Sequence, residues 1–291
     1  MTNSKRFNFT ANLLLIACFL IFIAACSKDD QPPMTTNEIS QEIKDLIYFK
    51  GNENASVVLI NAQSGPDILL STEVVDLVFE NMDMTNLLAV NVHQAQTLNP
   101  SLVEGNDITL DQAVNYNAES IETLDQVIKY FKGQGRTVYI LGASFGAFIS
   151  QELIAKKGIN VADKYLMMIG RLDMNDIMWQ ALVEGKFGYF ENGITPILDS
   201  EPAMDVVERN IGKIAAGLGM NRYTQQLNTI EDLSKLTYVY GTKDELVGSL
   251  TAEEIEFLES KNATIIEGSG GHDDTFTDFF TQGLKEAFGI E

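Results

Sequence analysis

A chain of 291 residues, 45% of them hydrophobic, is long enough to bury one sizeable α/β core, and no internal repeat or low-complexity segment divides it. It carries 41 acidic against 20 basic residues, a formal charge of −21. So acidic a surface repels nucleic acid and anionic headgroups, which excludes both as partners.

The first 25 residues read as a leader rather than as part of the fold. Lys5 and Arg6 form a short basic region, and Leu13 to Ala25 is an unbroken apolar run. Thirteen residues are too few to span a bilayer stably but suit the core of a signal peptide. The run ends in Ile23-Ala24-Ala25-Cys26, which resembles a bacterial lipoprotein signal. That resemblance implies cleavage before Cys26, acylation of Cys26 and an extracytoplasmic protein anchored to the outer membrane or cell surface. An ordinary secretory signal that ends at a cysteine is the alternative. With Cys18 removed and Cys26 acylated, no thiol remains for a disulfide, a metal or nucleophilic attack. Loss of Lys5 and Arg6 leaves 18 basic against 41 acidic residues, a net charge near −23. Residues 26–40 are polar and proline-bearing and read as a flexible tether. Its acidic start, Asp29-Asp30, is either an export tag or a solvated linker. The folded domain is expected over 41–291.

Within that domain short apolar, β-branched runs alternate with longer helical patterns. Strands are predicted at Leu46–Lys50, Val57–Asn61, Leu87–Val92, Val138–Leu141, Tyr165–Ile169, Thr237–Gly241 and Ala263–Ile266. Several are apolar at consecutive positions, as strands covered on both faces must be. The clearest helix spans Leu110–Lys132, with Thr109 and Gln112 in a capping-box pattern and Gly133 as its stop. Further helices are predicted after Thr72, Ser144 and Asp274, the last with Phe276, Phe279, Phe280, Leu284 and Phe288 on one side. This alternation predicts a doubly wound, mostly parallel α/β sheet. Between about 171 and 232 no convincing strand is visible, and that stretch is expected to be a helical cap over the sheet's C-terminal edge.

Ile140-Leu141-Gly142-Ala143-Ser144-Phe145-Gly146 places a Gly-x-Ser-x-Gly between a strand and a helix. A serine nucleophile needs a base, and the base needs a third group to fix its tautomer. The chain has only two histidines, His93 and His272. His272 follows the final predicted strand in a glycine-rich loop, and Asp244 follows the strand before it, with Glu245 as the alternative acid. Ser144, Asp244 and His272 thus each follow a strand, at the edge where open α/β sheets bind ligands. The order Ser, Asp, His with this elbow resembles the α/β-hydrolase family. The resemblance runs from about Leu46 to the C-terminus and implies Ser144 as nucleophile, His272 as general base and Asp244 as its orienting carboxylate. Taken singly, each has a plainer reading: a turn serine, a solvated turn acid, a helix-capping histidine.

The same resemblance implies an oxyanion hole made by the Phe145 N–H and a second donor, Ala62 or Gln63, in Asn61-Ala62-Gln63-Ser64-Gly65-Pro66-Asp67. This loop departs from the family's usual glycine-rich form. His93 is a candidate pocket or packing residue. Trp179, with Phe187, Tyr189 and Phe190, is either a pocket wall or cap core. Gly268-Ser269-Gly270 lacks the third glycine of a dinucleotide site, and His272-Asp273-Asp274 lacks a second histidine or cysteine for zinc. The expected activity is cofactor-free, metal-free hydrolysis of a small-molecule acyl substrate, carboxylesterase-like. A peptidase, an acyltransferase or a binding lipoprotein with a hydrolase fold are the alternatives, and oligomeric state is not legible.

Overall fold

The computed structural model describes residues 39–70, 76, 79 and 82–290. Cys26, the leader and nearly all of the tether lie outside the described residues. So does most of the helix expected after Thr72, of which Asp76 and Phe79 are described and helical.

In chain order the strands are β1 Ile47–Gly51, β2 Val57–Ala62, β3 Leu87–Val92, β4 Thr137–Ala143, β5 Lys164–Met168, β6 Gly188–Glu191, β7 Thr195–Leu198, β8 Leu236–Gly241 and β9 Thr264–Gly268. The helices are α1 Gln41–Lys44, α2 Ala95–Leu98, α3 Leu110–Gly133, α4 Phe145–Lys157, α5 Asp176–Val183, α6 Val206–Gly219, α7 Tyr223–Gln226, α8 Ala252–Ser260 and α9 His272–Phe288. Seven strands form one sheet in the order β1-β3-β2-β4-β5-β8-β9. β1 runs antiparallel to β3, with Ile47 opposite Val92, and the other pairs are parallel.

The apolar runs follow from this architecture. Val58 and Ile60 of β2 and Val138 and Ile140 of β4 join Ile121, Leu124 and Ile128 of α3 in one layer. Leu59, Leu141 and Ala143 join Leu284 and Phe288 of α9 in the other. Successive side chains of a strand point to opposite faces, so a strand covered on both must be apolar throughout. Each fully buried Val, Leu or Ile contributes about 1.5–3 kcal/mol.

Helix α3 begins with the expected capping box: Gln112 N–H donates to Thr109 Oγ1 (3.2 Å), and Thr109 N–H to Gln112 Oε1 (2.9 Å). It ends later than expected. Gly133 is still helical, and the left-handed turn falls at Gly135, φ 77°. Helix α9 likewise starts before Asp274, with His272 as its first residue.

The segment 171–232 corrects the expectation of a strandless insertion. It contains an antiparallel hairpin, β6–β7, with Tyr189 opposite Ile197. Asn192 and Gly193 turn it with left-handed φ values of 53° and 72°. Phe190 is buried among Met178, Leu182 and Ala216 of the flanking helices. The hairpin lies against the loop after β8: Phe190 N–H donates to the Glu245 carbonyl (2.7 Å), and Ser249 N–H to that of Gly193 (2.8 Å). Helix α6 is tied to the chain before α3. Asn210 Nδ2 donates to the carbonyls of Val103 and Asn106 (2.8 and 2.9 Å), and Asn210 Oδ1 accepts from Ile108 N–H (2.9 Å). Where the insertion begins, the buried guanidinium of Arg171 pairs with Glu254 of α8 at 3.1 Å. Glu254 also accepts the N–H groups of Asp173 and Thr251 (2.7 and 2.8 Å), so its charge is compensated.

Candidate active site

Ser144 sits between β4 and α4 with φ 52° and ψ −120°, a conformation ordinarily left to glycine. Such a conformation costs on the order of 1–3 kcal/mol and persists only where its surroundings enforce it. Here the Ser144 N–H extends the ladder to the Met168 carbonyl (2.9 Å), and the Ser144 carbonyl accepts from Ala147 N–H (3.0 Å). The flanking glycines are needed for space. A Cβ on Gly142 would collide with the Gly146 carbonyl and Ser150 Oγ, and one on Gly146 with the Ala62 carbonyl. Ile169, at the end of the next strand, is also left-handed, φ 46°, although it is β-branched.

Asp244 lies three residues past β8 and His272 four past β9. His272 Nδ1 is 2.7 Å from Asp244 Oδ2, with both side chains buried. Asp244 Oδ1 accepts the N–H groups of Leu246 and Val247, each at 2.9 Å. An ionised carboxylate only accepts, so the proton of a neutral His272 belongs on Nδ1 and the lone pair on Nε2. Glu245 is not bonded to the ring. Its Oε2 accepts the backbone N–H of His272 at 3.0 Å.

Ser144 and His272 line the same cavity, of about 350 Å³. Its other walls include Phe79, Leu141, Ile169, Leu246 and Phe276, with Asn61, Ser64, Gly65, Asp67 and Asp273 as polar lining. A second apolar cavity of about 220 Å³, under the hairpin, is lined by Phe148, Met174, Met178, Phe187 and Phe190 and shares Leu246 with the first.

The proposed oxyanion donors are differently placed. Phe145 N–H, next to the serine, donates to the Ser64 carbonyl at 3.0 Å. Gln63 N–H donates to the Val92 carbonyl (3.4 Å), and Ala62 is the last residue of β2, paired with Val92 and Gly142. Among the described residues nothing accepts from the Gly65 N–H. Gln63 shapes the loop with its side chain instead. Its Nε2 donates to Thr97 Oγ1 (2.8 Å) and the Gly65 carbonyl (3.0 Å), while Gln94 Nε2 donates to the Gln63 carbonyl (2.8 Å).

Neither His93 nor Trp179 lines the Ser144 cavity. His93 is buried, and its N–H donates to the Leu46 carbonyl (3.3 Å). Desolvation pushes its pKa below the usual 6.5, offset in part by a hydrogen bond to the Leu46 backbone. Trp179 Nε1 donates to the Ala216 carbonyl (3.0 Å) and packs within the insertion. Ser64, Leu246, Ile169 and Phe276 escaped sequence reasoning. Only Ile169, before a glycine at a strand end, carried a local signal.

No protein-family model matches the chain, and no curated protein matches it in sequence. Among solved structures it is similar to MGS-M2, an alpha/beta hydrolase enzyme from a Medee basin deep-sea metagenome library. The two are 14% identical over 84% of this chain and 94% of that one, with a TM-score of 0.53. It is also similar to Est1E from Butyrivibrio proteoclasticus, solved with ferulic acid bound: 13% identity, 82% and 92% coverage, TM-score 0.51. A monoacylglycerol lipase from Paleococcus ferrophilus aligns at 14% identity over 82% and 96% of the two chains, with a TM-score of 0.50. The chain has the α/β-hydrolase fold.

Proposed function

We propose that the protein is a serine hydrolase that cleaves an ester or related acyl bond of a small to medium, largely uncharged substrate. The observation that supports this best is the buried 2.7 Å contact between His272 Nδ1 and Asp244 Oδ2, opening on the cavity that holds Ser144. Ser144 Oγ adds to the acyl carbon while its proton passes to His272 Nε2. The imidazolium, stabilised by Asp244, then protonates the leaving oxygen as the carbon–oxygen bond breaks. Water, deprotonated by the same Nε2, releases the acyl group and restores Ser144.

For the first step the Phe145 N–H must turn from the Ser64 carbonyl to the oxyanion. Rotation of the single peptide between Ser64 and Gly65 would do this. It withdraws the carbonyl and brings the Gly65 N–H, which has no acceptor among the described residues, to the same side. One such donor is worth about 3 kcal/mol in the transition state.

Fluorophosphonate labelling of the purified domain tests the reading. Labelling of the wild type that is lost in Ser144→Ala and His272→Ala is expected. The occupied Phe145 N–H favours one rival, a binding protein that keeps the fold without turnover. A folded wild type that binds esters but never labels would establish it. The chain is further proposed to be extracytoplasmic and anchored through acylated Cys26, on the strength of the Ile23-Ala24-Ala25-Cys26 pattern. Palmitate incorporation that survives Cys26→Ala would refute the anchor.

A further inference from the structure

We propose that Glu245 is a positioning residue for His272, holding the backbone of the base in place through its hydrogen bond to the His272 N–H. This role rests on the serine hydrolase chemistry proposed above. Consecutive residues of one loop then grip the base at two points: Asp244 on Nδ1 and Glu245 on the main chain, at 2.7 and 3.0 Å.

The geometry gives the second contact a function that helix capping alone would not need. His272 is the first residue of α9, and Gly271 before it offers no side-chain cap. The first-turn N–H groups of a helix have no acceptor within the helix. Glu245, reaching across from another loop, is the acceptor for one of them. The fit is close, since a Cβ on Gly271 would come 2.5 Å from Glu245 Oε2. The backbone of residue 272 sets the direction of its Cα–Cβ bond and so the depth at which Nε2 meets Ser144. Displacement of a catalytic group by 1 Å can cost about a hundredfold in rate. Glu245 is itself held, because its carbonyl accepts the Phe190 N–H of the hairpin at 2.7 Å. The insertion thus bears on the base through one residue.

Glu245 is solvent-exposed. Water screens its charge, so the hydrogen-bond geometry rather than the negative charge carries the effect. Glutamine, which keeps an acceptor oxygen at the same reach, should therefore restore what alanine removes. Aspartate keeps the charge but is one methylene too short. The test is the second-order rate of fluorophosphonate labelling across the histidine titration range for wild type, Glu245→Gln, Glu245→Asp and Glu245→Ala, with folding followed by circular dichroism. At the high-pH plateau, Ala and Asp are expected to label about tenfold or more slowly than wild type, and Gln to recover most of that loss. Wild-type labelling in Glu245→Ala, or Gln as slow as Ala, overturns the role. If Ala does not fold, Asp faster than Gln overturns it as well. Absence of Ser144-dependent labelling in the wild type would instead remove the hydrolase reading itself.

Discussion

Asp244→Asn isolates the tautomer of His272 from its position. Both Leu246 and Val247 donate N–H bonds to Asp244 Oδ1 at 2.9 Å. In the variant the amide oxygen must stay on those two donors, because the NH₂ group would set N–H against N–H. The NH₂ then faces His272 Nδ1 and donates to it. Nδ1 becomes an acceptor, the ring proton moves to Nε2, and the lone pair that should receive the Ser144 proton is gone. The side chain keeps its volume and its turn, so the fold should hold. Loss of a correct tautomer in a triad costs about 10⁴ in rate, equivalent to ~5.4 kcal/mol of barrier. The assay is hydrolysis of a short nitrophenyl ester alongside fluorophosphonate labelling, with thermal melts as the control for folding. An Asp244→Asn protein that melts like wild type and turns over within tenfold of it would refute the assignment of Asp244 and the tautomer argument together.

Four further outcomes are expected. Arg171→Leu strands the buried carboxylate of Glu254, and should cost about 3–5 kcal/mol of stability by denaturant titration; a loss under 1 kcal/mol would show that solvent reaches the pair. His93 has a folded pKa below its unfolded value of 6.5, so the unfolded chain binds the proton more readily. Its contribution is present above pH 6.5 and is lost as pH falls toward the folded value, at up to about 1.4 kcal/mol per pH unit. His93→Gln should flatten the pH dependence of the melting temperature in that window, and an unchanged slope would contradict the burial argument. Leu246→Trp thickens the wall shared by the two cavities and should lower kcat/KM for bulky esters relative to acetyl esters by about tenfold, whereas equal losses would separate the second cavity from substrate binding. On phosphonylation of Ser144, amide hydrogen exchange at Gly65 should slow as its N–H gains an acceptor, and an unchanged rate would dispose of the peptide rotation.

The inner strands of the main sheet are legible in the sequence because burial on both faces makes them continuous apolar runs, as Val57–Asn61 and Leu87–Val92 show. The edge strands β1 and β9 are partly exposed and show through shorter apolar stretches, Leu46–Phe49 and Ile265–Ile266. The hairpin in the insertion is not legible that way. Its strands have four residues each, one contains Pro196, and no residue of β7 is buried. The Asn192-Gly193 pair marked its turn locally. The three residues Ser144, Asp244 and His272 are visible because a family order and two scarce histidines constrain them. Which backbone N–H groups near Ser144 stand free is a different matter. It depends on the Ser64 carbonyl and the Gln63 and Gln94 amides, partners brought in by tertiary packing and not by neighbours in sequence.

The three hydrogen bonds of Asn210 have a kinetic consequence. They tie α6 to the main body, Asn117 Nδ2 adds a bond to the Ile214 carbonyl (2.8 Å), and Arg209 forks onto Asp107. An insertion fastened in this way is a buttress and not a hinged door. Passage of substrate and product then falls to side chains and short loops, which move in nanoseconds to microseconds, and not to domain swings on the millisecond scale. On the mechanism proposed above, turnover is then expected to be set at the acyl-transfer steps, and contact with a lipid–water interface should leave its rate unchanged.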